Sequence, residues 1–200
     1  MDIHLKASIL SSFAELIFTH PIDYLKTLKQ NNNPNYLSLL KKNPYTGIQS
    51  KLYGNLPMRL IFWNSIEYGK KNNFSPIHTA ILGSSLQTII DYPIEIHKIK
   101  KMNSNHYKNL FLPSFSFHYL RNLGFTLSFI TISPYNSAFA GFFSAVITQP
   151  FDCLKTYYQS GNKTFPNHWY LKDYYKGTIF RASISLISMS IGSYIFNLLK

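Results

Sequence analysis

Three acid–base pairs stand at identical spacing behind a proline: Pro21-Ile-Asp23-Tyr-Leu-Lys26, Pro93-Ile-Glu95-Ile-His-Lys98 and Pro150-Phe-Asp152-Cys-Leu-Lys155. A carboxylate and an ammonium three residues apart share one face of a helix. Three such faces around a common axis form a ring in which each acid can take a neighbour's base. A single ion pair beside water is worth only about 0–1 kcal/mol, so a ring of this kind can open and reform easily. The chain holds 10 Pro, 8 Asp and Glu together, and 20 Lys and Arg together. Random placement at that composition gives about 0.04 copies of the pattern, so three copies mark an internal repeat.

Arg59 and Arg121 occupy equivalent places in the first two repeats, where the third has Met189. A guanidinium grips a carboxylate or phosphate in bidentate fashion, and the uneven trio suits an asymmetric anion. A structural reading stands beside it, because Glu15, Gln87 and Asp91 lie where they could pair with these arginines. The seven histidines are scattered without a pair at helical ligand spacing, so none is assigned to a metal. No nucleophile–base–acid constellation is present, and enzymatic activity and cofactors are not expected.

The elements that position these groups follow from the repeat. Residues 122–151 run without a charge except for a turn signal at Ser133-Pro134; 182–199 and 76–90 are also uncharged. Such runs are membrane-span candidates. Thirteen residues before each motif proline stand Ser8, Ala80 and Ser137, and nine before stand Ser12, Ser84 and Gly141. Small residues four apart let helices approach closely in a bilayer. Nine residues after the proline come Gln30, Met102 and Gln159. Each motif is therefore expected to close one long helix kinked at Pro21, Pro93 or Pro150. A second landmark follows: Tyr45-Thr-Gly47, Tyr107-Lys-Asn109 and Tyr175-Lys-Gly177. The pattern predicts helices over 5–30, 48–71, 76–101, 110–131, 134–159 and 178–199.

Charge placement agrees with six spans. Fourteen of the twenty basic residues fall in or near the loops inside the three hairpins, giving one membrane side the positive bias. Both termini then share the opposite side. The net charge of +12 implies anionic partners, and the single cysteine, Cys153, excludes an intrachain disulfide. The first residues lack the layout of a secretory signal or transit peptide, so targeting information is expected to be internal. A soluble nucleic-acid binder would fit the charge but not the uncharged runs, and nucleic acid is not an expected partner.

With its tripled motif, the chain resembles the mitochondrial carrier family, whose three repeats each close their odd helix with PX[DE]XX[KR]. The resemblance covers the whole chain as one carrier domain, with repeats at 1–73, 74–132 and 133–200. It implies an all-α membrane protein of six transmembrane helices, three pseudo-symmetric hairpins around a central cavity. It further implies a monomeric, multi-pass protein of the mitochondrial inner membrane that moves a small anionic metabolite, nucleotides among the candidates, by alternating access. A matrix gate would pair Asp23 with Lys98, Glu95 with Lys155 and Asp152 with Lys26, braced by Gln30 and Gln159. An outer gate would use Glu67, Lys70, Asn197 and Lys200, and is incomplete because its motif is missing around Phe129. Family substrate contacts would map to Gly54, Asn55, Met58, Ser116, Phe117, Leu120, Ile184, Ser185 and Ser188, with Arg59 and Arg121 beside them. Membrane lipid, cardiolipin included, would meet the basic landmarks. The proline-to-proline spacings of 72 and 57 residues leave short loops, so a degenerate carrier-like protein without transport is the competing reading.

Overall fold

The computed structural model describes residues 3–30, 38, 41–45, 48–102, 111–159, 170–175 and 177–198. Among them every regular element is a helix: α1 (Ile3–Gln30), α2 (Ile48–Lys71), α3 (Pro76–Met102), α4 (Phe111–Ile132), α5 (Ser137–Ile147), α6 (Gln149–Gln159), α7 (Leu171–Tyr174) and α8 (Thr178–Leu198). These limits follow the expected ones closely, with two differences: the short α7 was not expected, and the fifth helix is divided. There the helix is interrupted at Thr148 and divides into α5 and α6. Pro150 explains the break, since it offers no N–H to the carbonyl four residues back and its ring crowds that carbonyl. The same rule leads one to expect interruptions at Pro21 and Pro93, yet both lie within unbroken helices.

Local signals set the ends. Asn136 caps α5, its side-chain oxygen accepting from the backbone N–H groups of Ala138 and Phe139 at 2.9 and 3.1 Å. The turn between α2 and α3 uses Asn73 at φ 53°, a left-handed conformation that Asn tolerates. Phe74 N–H then returns to the carbonyl of Gly69 at 2.9 Å, satisfying the last turn of α2.

Each helix packs on its neighbour in chain order, α1 on α2, α2 on α3, α3 on α4, α4 on α5 and α6, and α5 on α8. The chain closes on itself because α8 packs back on α1. Small residues permit this. A Cβ on Gly141 would lie 2.8 Å from the backbone oxygen of Ser185, so α5 and α8 approach backbone to backbone there. Ser185 Oγ also donates to the Gly141 carbonyl at 2.9 Å. Ala80 and Ser84 are fully buried and Ser12 nearly so, as the small-residue pattern anticipates.

Polarity runs opposite to that of a water-soluble bundle. Among the described residues, twenty-three polar or charged ones are buried, against twelve hydrophobic ones. Meanwhile Phe13, Phe18, Ile81, Ile89, Phe139, Phe143 and Ile147 stand exposed on the outside. By length and hydropathy alone, one described stretch qualifies as a span, 171–195, with shorter apolar segments at Ile9–Ile22 and Ser137–Ile147.

Candidate functional site

The motif acids of the second and third repeats meet in one buried cluster. Lys155 Nζ donates to Glu95 Oε2 at 2.6 Å, joining α6 to α3, which α4 separates in the ring. Asp152 lies 3.5 Å from Lys155 Nζ and 3.5 Å from Arg121 Nη1. Arg121 also donates to Asp91 Oδ2 at 3.1 Å and lies 3.7 Å from Glu95. Arg181 reaches within 3.9 Å of Asp152 from α8 and donates to Thr148 Oγ1 at 2.7 Å. Three carboxylates thus face three permanent cations. The pair of Lys155 and Glu95 is less like an exposed ion pair than sequence suggests, since Lys155 is 4% exposed.

His118 sits inside this cluster with no exposed surface. Its Nε2 is 2.9 Å from Asp91 Oδ2, and its Nδ1 is 3.3 Å from Glu95 Oε2 without the alignment of a hydrogen bond. Sequence reasoning passed over this residue because one histidine in an aromatic and serine run has no ligand spacing. The available signal was on the partner helix, where Asp91 and Glu95 stand four apart on one face. These three side chains could converge on a metal ion. Their oxygens are already held by Arg121 and Lys155, which leaves little electrostatic room for a divalent cation.

Arg59 forms a second, separate node. Its Nη2 donates to Glu15 Oε1 on α1 and to Ser188 Oγ on α8, tying three helices together. The two arginines therefore differ: Arg59 has one acid and a hydroxyl, whereas Arg121 is embedded among three acids.

Between these nodes and the opposite end lies an aromatic floor. Phe62 and Phe129 have ring centroids 5.2 Å apart, Trp63 meets Phe129 at 5.9 Å, and Phe125 stacks on Phe129 at 6.4 Å. Ile66, Ala140 and Met189 complete this packed cluster, which joins α2, α4, α5 and α8 across the ring. Above it opens a cavity of about 200 Å³, lined in part by Trp63, Glu67, Lys70, Ser133, Ser193 and Asn197. Three of the expected outer-gate residues, Glu67, Lys70 and Asn197, thus share one pocket. Among the described residues, neither Glu67 nor Lys70 takes part in an ion pair.

The other expected site residues divide clearly. Ser188 joins Arg59, and Phe117 stacks on Tyr158 with centroids 5.6 Å apart beside the charge cluster. Gly54 lies close to α3, where an added Cβ would stand 3.1 Å from Ile94. Met58 and Ile184 are half-buried, and Ser185 is engaged with Gly141. Ser116 and Leu120 are exposed, on the side of α4 opposite the buried His118 and Asn122, and are not brought to the cluster. Gln159 is fully buried, and among the described residues neither of its amide atoms finds a hydrogen-bond partner. The side chains of Asp23, Lys26, Gln30, Asn55 and Lys98, and Lys200 as a whole, lie outside the described residues.

No protein-family model, curated protein or solved structure matches this chain.

Proposed function

We propose that the chain is a membrane solute carrier of the mitochondrial type, moving a small anion across the inner membrane by alternating access. The observation that carries the reading is the contact of Glu95 with Lys155. An acid from the second motif copy and a base from the third meet across the ring, as a threefold gate requires. The closed order of helices, the polar interior and the apolar exterior support the same reading. The paired charges at one end, and at the other a pocket whose Glu67 and Lys70 make no ion pair among the described residues, fit a carrier closed on the matrix side.

The pocket favours a small carboxylate or phosphate. Its volume of about 200 Å³ is below the roughly 300–1,000 Å³ usual for sites that enclose larger ligands. A nucleotide would need the aromatic floor to part. Arg59 and Arg121 below that floor would receive the anion's negative charge, with Glu15 and Asp91 released as it binds. The floor itself favours a second reading, a carrier-like protein that keeps the fold without transport, because it packs α2, α4, α5 and α8 together. Reconstitution into liposomes with a panel of phosphate, carboxylates and nucleotides separates the two. Saturable uptake or exchange that falls in Arg59→Ala and Arg121→Ala supports transport. No movement of any solute by correctly inserted protein supports the second reading.

A further inference from the structure

Glu67 and Lys70 are placed to pair with each other and do not. An acid ahead of a base by three residues, on one helix face, is a favourable order for an ion pair. Yet among the described residues neither takes part in one, and both line the cavity of about 200 Å³ above the aromatic floor. The charges deeper in the ring are matched: Arg59 meets Glu15, and Arg121, Lys155 and Arg181 meet Asp91, Glu95 and Asp152. The cavity thus holds one open acid and one open base.

Position along α2 orders these groups. Trp63, Glu67 and Lys70 recur at helical spacing on one face, with Trp63 at the floor, Glu67 half-buried above it and Lys70 exposed at the rim. Trp63 is held in place from several sides. A Cβ on Gly192 of α8 would lie 2.6 Å from its Cζ2, and Phe62 and Phe129 meet it edge-on with centroids at 5.3 and 5.9 Å. Indole is the side chain that attracts a cation most strongly through its ring. The remaining polar lining is neutral. Ser133 Oγ donates to the Ile130 carbonyl at 3.4 Å, which leaves its oxygen free to accept, and Asn197 brings amide donors from α8.

A phosphate or dicarboxylate in this cavity would satisfy Lys70 and be repelled by Glu67. A simple amine would do the reverse. A ligand with both charges on neighbouring atoms satisfies both. We propose that the cavity binds a small zwitterionic amino acid, its ammonium toward Glu67 and Trp63 and its carboxylate toward Lys70 and Asn197. The inference rests on the transport reading above and narrows the solute to a carboxylate that also carries an ammonium. The volume restricts it to a short side chain, because larger ligands need roughly 300–1,000 Å³. Past the floor such a solute meets an acid and a base together again, at Glu15 and Arg59.

The test has two arms. In the first, the full chain in detergent carries Trp169→Phe, so that Trp63 is the one remaining tryptophan and its fluorescence reports binding. Glycine, alanine and serine are titrated beside lactate, isopropylamine and inorganic phosphate, which each lack one of the two charges. Saturable binding of alanine, with lactate and isopropylamine weaker by about tenfold or more, is the expected result. Glu67→Gln should weaken alanine by a similar factor without weakening lactate, and Lys70→Gln should weaken alanine and lactate without weakening isopropylamine. Lactate or phosphate binding as tightly as alanine, no binding of any of the three amino acids, or unchanged alanine binding in both variants overturns the proposal. In the second arm the same solutes are offered to proteoliposomes. Uptake that prefers the amino acids and loses that preference in Glu67→Gln supports the site. Uptake that prefers lactate or phosphate refutes it and leaves transport standing. Alanine binding with no uptake of any solute keeps the site and removes the transport reading.

Discussion

Replacing Lys155 by Gln should show how firmly the charged end is held. Its ammonium lies 2.6 Å from Glu95 in a site where the lysine is 4% exposed. Removing one partner of a buried pair typically costs about 3–5 kcal/mol, because the other charge is stranded. Here Glu95 keeps Arg121 at 3.7 Å, and its side chain is 25% exposed. That partial rescue lowers the expected cost to about 2–3 kcal/mol, below the range for a fully stranded charge. For a chain of this size, about 2–4 °C of melting temperature accompanies each kcal/mol, so Lys155→Gln should melt about 4–12 °C lower. Glu95→Gln leaves Lys155 near Asp152 at 3.5 Å and should cost less. The double variant should recover part of both losses, with a coupling energy of about 1.5–3 kcal/mol in the cycle. Thermal unfolding of the four proteins in detergent measures it. A coupling below about 0.5 kcal/mol would show that the two groups do not meet, and the gate would have to be abandoned.

Two further outcomes test the helix contacts. Arg59→Ala strands the buried Glu15 and removes a bond to Ser188, so it should destabilise by about 2–4 kcal/mol, and Glu15→Gln in the same chain should restore most of the loss; an unshifted melting temperature in Arg59→Ala would place the arginine elsewhere. Gly141→Val puts a branched side chain where a Cβ alone would meet the Ser185 oxygen at 2.8 Å, so a loss of about 1–3 kcal/mol is expected from overpacking, and wild-type melting would show that α5 and α8 are further apart.

Much of the fold is readable from residue types. The helix limits follow from the proline motifs, the turn residues and the uncharged runs, which mark where each helix begins and ends. Glu95 with Lys155 is readable for the same reason, since the repeat assigns both to one level. The pairing of Arg59 with Glu15 was one of two open readings, and spacing alone could not choose between a solute and a neighbouring helix. His118, Phe62 and Phe125 were not foreseen. Their roles depend on which helices face each other across the ring, and no local period in the sequence encodes that. The break near Pro150 has no counterpart at Pro21 or Pro93, so the proline motif alone did not foretell where a helix would be interrupted.

The central claim is that this ring of helices is polar within because lipid lies outside. Single spin labels along α5, in a Cys153→Ser background with the protein in liposomes, test it most directly. Positions 139, 143 and 147 should be accessible to oxygen and shielded from a water-soluble nickel chelate, while 140, 141 and 144 resist both. Strong collision with the chelate at 139, 143 and 147 would put water on that face and contradict the account.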